Sequence, residues 1–249
     1  MTRQPAITII TITYNASGTL PLTMASVAEQ SFTDYEHLLI DGASSDNTIL
    51  LARQMGTPRL KIVSEPDKGL YDAMNKGLAM ARGRYVIFLN SGDRFHAPDT
   101  LRLYANAITA KNPDIIYGDT DIVDINGRRK GPRHLSAPAM LTVDSFSRGM
   151  LICHQAFMVK KAIAPRYDTD YRFSADYDWT IRCIKASRPG SRINLRAVTI
   201  DYLSDGLTDR NKRASLLERF KIMAAHYGML RAILQHLSFI PRAIRRGKI

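Results

Sequence analysis

Two periods of hydrophobic and polar positions alternate along the first 120 residues. Short apolar runs at 6–13, 36–40, 60–63, 84–89 and 114–118 read as buried strands. Between them, around 19–30, 47–55, 70–81 and 98–110, apolar residues recur at helical spacing. This alternation predicts an α/β fold built of βαβ units around a mostly parallel sheet. Residues 119–150 are polar and rich in Gly, Pro and Arg, and predict a hairpin around Asn126-Gly127 followed by a loop. A strand (156–159), a helix (176–186) and a further strand (195–202) follow. From Ala214 to Leu237, Leu216, Phe220, Met223, Tyr227, Leu230 and Leu234 fall at helical spacing and predict one amphipathic helix that Pro241 ends.

Three of the apolar runs end in polar turns. Tyr85-Val86-Ile87-Phe88-Leu89 leads into Asn90-Ser91-Gly92-Asp93. Ile7 to Ile12 leads into Thr13-Tyr14-Asn15. His37-Leu38-Leu39-Ile40 leads into Asp41-Gly42-Ala43-Ser44-Ser45-Asp46, whose last three residues offer N-caps to the helix that follows. Ligands of open α/β sheets bind beyond the carboxyl ends of the strands. Asn15, Asp41 and Asp93 are therefore expected at one sheet edge, with Asp93 placed for a substrate or a metal ion. Taken singly, Asp93 reads first as a helix N-cap or turn residue, and Asp41-Gly42 as just a turn.

Charge changes the picture at one end only. Residues 210–249 hold ten Lys/Arg against one acid, Glu218, and so carry most of the chain's formal +12. The tail, not the sheet, is basic. Basic residues on an amphipathic helix, with no recognisable nucleic-acid module, fit an anionic membrane surface better than nucleic acid. Packing on the rest of the chain or on a second copy, as a homo-oligomer, is the rival use. Cys153 and Cys183 lack metal-ligand spacing and read as reduced core thiols. The N-terminus lacks a signal-peptide pattern, and no run reaches the roughly 18 apolar residues of a span. Location in the cytoplasm, peripherally on the inner face of the plasma membrane, is the expectation.

Four motifs in order resemble the family 2 glycosyltransferases of the GT-A (Rossmann-like) fold, most like the bacterial exopolysaccharide and colanic-acid branch. They are Thr13-Tyr14-Asn15, Ile40 to Asp46, Gly69-Leu70-Tyr71-Asp72-Ala73-Met74-Asn75-Lys76-Gly77, and Leu89 to Asp93. The likeness is strong over 6–118 and fainter through His154-Gln155 and Asp176-Tyr177-Asp178-Trp179. It implies a GT-A domain over 1–208, with a nucleotide-sugar half (1–118) and an acceptor half (119–208), and a basic helical tail over 209–249. It implies an inverting transferase that takes a sugar from a nucleotide-diphosphate donor, a UDP-sugar first among them. The acceptor would be a lipid-linked or other glycan in exopolysaccharide, capsule or lipopolysaccharide assembly.

The same resemblance implies the site. Thr13, Tyr14, Asn15, Asp41, Gly42, Ser44, Asp72, Asn75, Lys76, Asn90, Ser91 and Asp93 would bind the donor. Asp93 matches the metal-contacting Asp of the family's Asp-x-Asp motif, for Mg2+ or Mn2+. This chain departs at the first position, where Asn90, a weaker neutral ligand, stands; Asn90 is expected at ribose or water, and Asp93 carries the metal contact. Lys76 would offset phosphate charge, although Asp72 and Lys76 also suit an exposed i,i+4 pair. Asp176 would be the base for the acceptor hydroxyl, with Asp178 as the fallback; both could instead be helix caps. His154 is expected at phosphate or acceptor, or else as a structural His. The competing readings are a metal-dependent sugar nucleotidyltransferase, which would show a basic glycine-rich loop that Thr13 to Gly18 lacks, and a basic nucleic-acid-binding protein.

Overall fold

The computed structural model describes residues 3–204 and 212–245. Its strands are β1 (Ile7–Thr13), β2 (Tyr35–Asp41), β3 (Leu60–Ser64), β4 (Tyr85–Phe88), β5 (Arg94–Phe95), β6 (Ile115–Val123), β7 (Arg129–Pro132), β8 (Phe157–Lys160) and β9 (Arg192–Leu203). The helices are α1 (Leu20–Ala28), α2 (Thr48–Met55), α3 (Leu70–Met80), α4 (Thr100–Lys111), α5 (Ala175–Ala186), α6 (Lys212–Tyr227) and α7 (Met229–Arg245). All strands join one sheet in the order β3-β2-β1-β4-β8-β6-β9-β5, with β7 paired to β6.

The expected parallel sheet holds for β3-β2-β1-β4. β8 then enters antiparallel to both β4 and β6. β6 and β9 are parallel to each other, so most strands share one direction and β8 interrupts them. β6 runs on past the expected strand and folds back through Asp124–Arg128 onto β7, the hairpin foreseen at Asn126-Gly127.

β1, β2 and β4 are buried on both faces, as continuous apolar runs require. Their lower ends are locked by Gly83, whose N–H donates to Thr8 Oγ1 at 2.8 Å. A Cβ at Gly83 would stand 2.5 Å from the Thr8 backbone nitrogen. Backbone cannot step aside as a side chain can. Gly83→Ala is therefore expected to destabilise the fold by about 1–3 kcal/mol, the usual range for overpacking. Thermal denaturation checks this, and an unchanged midpoint would contradict the close approach.

The C-terminal amphipathic segment forms two helices, not one. The break falls at Gly228, at φ +90°, and α7 continues through Pro241 to Arg245. α6 is docked on α5 through buried Ile222 and Met223, and Tyr227 donates its hydroxyl to the Val143 carbonyl at 2.7 Å. α7 folds back on α6 with Ala232 buried, while Met229, Leu230, Ile233, Leu234 and Leu237 are exposed.

Candidate active site

The ends of β1 and β2 build the first wall. Thr13 and Asp41 are register partners. Asp41 is fully buried, and its carboxylate accepts hydrogen bonds from Thr13 Oγ1 (3.0 Å), Ser44 Oγ (2.5 Å), Ser44 N (2.9 Å) and Ser64 Oγ (2.7 Å). A carboxylate offers about four lone-pair sites, so all are taken. Asp41 shapes the turn, and the groups left to meet a ligand are its neighbours. Asn15 and Ala43 both hold positive φ, +47° and +62°. Such strain in non-glycine residues collects where ligands bind. The two turns interlock: Asn15 N–H donates to Ser44 Oγ (2.8 Å), and Asn15 Oδ1 accepts from Ser45 N (2.9 Å). Tyr14 stands exposed beside Gly42, where a Cβ would lie 2.6 Å from Asp67 Oδ2. Asp67 was not foreseen as part of this wall. The signal was Pro66-Asp67-Lys68-Gly69 directly after the β3 end.

The turn between β4 and β5 builds the floor. Thr23 of α1 pins it, donating to the Asp93 carbonyl (2.7 Å) and accepting from Gly92 N (2.9 Å). Ser91 Oγ meets Thr19 Oγ1 at 3.0 Å. Asp93 is buried, and burial pushes its carboxyl up to about 7, against the opposing hydrogen bonds from Leu203 N–H and Gln155. Asn90 Oδ1 is buried with no hydrogen-bond partner among the described residues. An orphaned oxygen and a buried carboxylate wanting positive charge are a donor set that suits a hard divalent cation. The strands beyond hold a second group of ligand atoms, from His96, Asp121 and Asp201. There Arg94 and Arg129 already hold the two carboxylates, at 2.8 Å and 2.5 Å, so that cluster is charge-balanced without an ion.

The third wall is the start of α5. Asp176 Oδ1 accepts from the Tyr71 hydroxyl (3.1 Å) and from Tyr177 N (2.9 Å), while Oδ2 has no partner among the described residues. Tyr71 thus ties α3 to α5; burial, and next the Asp176 charge, raise its hydroxyl pKa well above 10.0 and keep it a donor. Asp178 is different. It is buried and held by Arg182 Nε and by His226 Nε2, each at 2.7 Å. Burial works to raise its pKa, but the His226 and Arg182 contacts prevail and hold it low. The fallback base is therefore committed to an ion pair.

Two further expectations are corrected. His154 does not face a phosphate. It is buried among Phe88, Tyr167 and Trp179, bonds the Tyr167 hydroxyl at 2.7 Å, and is pushed down to about 4 by burial. It is a neutral packing residue. Lys76 does not pair with Asp72. Its Nζ meets Glu65 (3.0 Å) and the Pro66 carbonyl (2.8 Å). Asn75 brackets the Tyr167 backbone, at 3.0 Å and 2.7 Å, and with Asp72 it lines a cleft of about 330 Å³ that also contains Lys68 and Arg166.

Comparison with known proteins bears on the family and the fold. The model of the glycosyl transferase family 2 matches residues 8–167, well over half of the chain. A PGL/p-HBAD biosynthesis glycosyltransferase of Mycobacterium tuberculosis is 36% identical over 188 residues, 72% of this chain and 70% of that protein. An Escherichia coli protein, WfgD, a UDP-Glc:alpha-D-GlcNAc-diphosphoundecaprenol beta-1,3-glucosyltransferase, is 32% identical over 121 residues, 48% of this chain and 47% of its own. Among solved structures, Staphylococcus aureus TarS 1–349 in complex with UDP-GlcNAc superposes with a TM-score of 0.70 at 17% identity, covering 96% of this chain and 72% of that one. The Pyrobaculum calidifontis mannosyltransferase PcManGT, in complex with GDP-Man and Mn2+, gives 0.61 at 18% identity, over 95% and 75%. The fold is that of the GT-A enzymes, and the chain is a glycosyltransferase that belongs to glycosyl transferase family 2.

Proposed function

We propose that this enzyme moves a sugar, with inversion, from a nucleotide-diphosphate donor to a lipid-linked glycan acceptor in surface-polysaccharide assembly. The observation that carries the reading is the Asn90–Asp93 turn, where a buried oxygen with no partner among the described residues and a buried carboxylate stand at the carboxyl end of β4. The β1 and β2 turns, with Tyr14, Asn15 and the Ser44 hydroxyl, would take the nucleoside; Asp41 acts there by fixing the hydroxyls of Thr13, Ser44 and Ser64. A UDP-sugar is the first candidate donor, in keeping with the ligand of TarS and the name of the E. coli relative. The acceptor hydroxyl gives its proton to Asp176 as its oxygen attacks the anomeric carbon. The bond to the donor's diphosphate breaks, and its electron pair leaves with the diphosphate. Asp93 with Asn90 would hold Mg2+ or Mn2+, which when bound offsets charge on the leaving diphosphate. Lys68 and Arg166, which line the cleft together with Asp72 and Asp168, are candidates for further positive charge, since Lys76 is held by Glu65.

A thermal-shift panel of UDP-, GDP- and dTDP-sugars with and without Mn2+ tests the donor. Ligand at 100 times its Kd adds about 2.7 kcal/mol, so one nucleotide class is expected to raise the midpoint by several degrees. A panel in which none does would overturn the reading.

The same proposal places the enzyme on the cytoplasmic face of an anionic membrane through α7. Its exposed Met229, Leu230, Ile233, Leu234 and Leu237 form an apolar face, and Arg242, Arg245, Arg246 and Lys248 follow in the sequence. Among the described residues no helix is long and apolar enough to cross a membrane. Each basic residue near an anionic leaflet contributes about 1 kcal/mol, screened by salt. Full-length protein is expected to co-sediment with phosphatidylserine vesicles at low salt, less so at high salt, and a Leu230→Asp/Leu234→Asp variant is expected to stay in solution. A parent protein that ignores such vesicles while forming dimers would make α7 a subunit contact.

A further inference from the structure

We infer that Glu218 of α6 is a positioning residue for the transfer, acting through Asp176; this rests on Asp176 being the base. α6 presents Ser215, Glu218, Ile222 and His226 on one helical stripe, and that stripe meets α5 and the chain leading into it. Glu218 is the acid in the otherwise basic C-terminal segment. Its carboxylate straddles two consecutive amides, Oε1 accepting from Arg172 N and Oε2 from Phe173 N, each at 2.8 Å. Next along the chain, Ser174 Oγ meets Ser215 Oγ at 3.0 Å, with both serines buried. Ser174 is the N-cap of α5 and makes no capping bond of its own to the helix. Asp176 follows two residues later. At the far side of the stripe, His226 Nε2 donates to Asp178 while its Nδ1 accepts from Lys185 Nζ at 2.9 Å.

The first turn of α5 is thus held from outside. Two charge-assisted bonds fix the backbone just before it, and the His226 hydrogen bond fixes the carboxylate two residues after Asp176. Among the described residues, the Asp176 carboxylate itself is held by the Tyr71 hydroxyl and the adjacent Tyr177 amide. Catalytic groups must be placed within fractions of an ångström, and a small misplacement costs orders of magnitude in rate. The C-terminal helix therefore belongs to the catalytic apparatus, although none of its side chains is placed against the reacting atoms.

The test is a double-mutant cycle on the full-length protein, with initial rates at saturating acceptor. Glu218→Gln keeps shape but cannot accept at both amides; Glu218→Asp keeps the charge but draws it back by one methylene. Each is expected to lower kcat about tenfold while donor KM stays within about twofold. In an Asp176→Asn background, neither should lower the residual rate further, because the group they position is gone. Unchanged kcat in both single variants overturns the inference. So does a loss that multiplies fully with Asp176→Asn, which would mark Glu218 as a structural residue only. Parent-level turnover in Asp176→Asn alone would instead sink the assignment of the base.

Discussion

Asp93→Asn is expected to yield a protein that is more stable without ligand and nearly inactive. In the folded chain burial holds this carboxyl at about 7, against an ordinary 3.8. The folded state therefore binds the proton more tightly than the unfolded state. Between about pH 4 and 7 the unfolded chain gives up that proton while the native one keeps it, so the ligand-free protein loses stability as pH rises across that window. The loss is on the order of a few kcal/mol. Asparagine can still accept from Leu203 N–H and carries no charge to bury. The variant should melt higher than the parent at pH 8 and show a flatter dependence from pH 4 to 7. It should lose Mn2+ stimulation and at least about 10²-fold in turnover, the scale of one removed electrostatic stabiliser. A variant that melts lower at pH 8, or keeps near-parent turnover in Mn2+, would contradict the role given to Asp93.

Asp176→Asn should do the opposite kind of damage. The substitution preserves the acceptor atom that Tyr71 and Tyr177 use, so the midpoint should scarcely move. Donor affinity should also hold, since the role proposed for the residue is toward the acceptor. Turnover should fall by about 10²–10⁴, the usual worth of a general base. Two residues on, Asp178→Asn breaks a buried ion pair, a change that typically costs about 3–5 kcal/mol. Its main effect should be on stability, read by denaturant melting. If Asp178→Asn were dead but stable and Asp176→Asn active, the two roles would have to be exchanged.

These contrasts mark where sequence suffices. The three turns at Asn15, Asp41 and Asp93 were legible because a continuous apolar run must be buried on both faces and must end in polar residues. Strand direction was not, since Phe157–Lys160 has the same apolar pattern as its neighbours yet runs against them. The stripe from Leu216 to Leu234 keeps helical spacing across Gly228, so periodicity did not reveal the break that a positive φ makes. Partners close in sequence were half legible. Asp178–Arg182 follows the i,i+4 rule, but Lys76 turns to Glu65 because that acid lies just across the approach to α3. Partners far apart were not: His226 is 48 residues from Asp178, and Glu218 is 46 from Arg172. His154 shows the same limit, since nothing in His154-Gln155 says that Phe88, Tyr167 and Trp179 will close around it.

The most direct measurement is of the product. Full-length enzyme, Mn2+, an α-linked UDP-sugar and a short-chain lipid-diphosphate GlcNAc acceptor are combined, and proton and phosphorus NMR follow the new anomeric proton and the released nucleotide. The account predicts a β-linked product and one UDP for each sugar transferred. A product that keeps the α configuration, or release of pyrophosphate or sugar 1-phosphate in place of UDP, would contradict it.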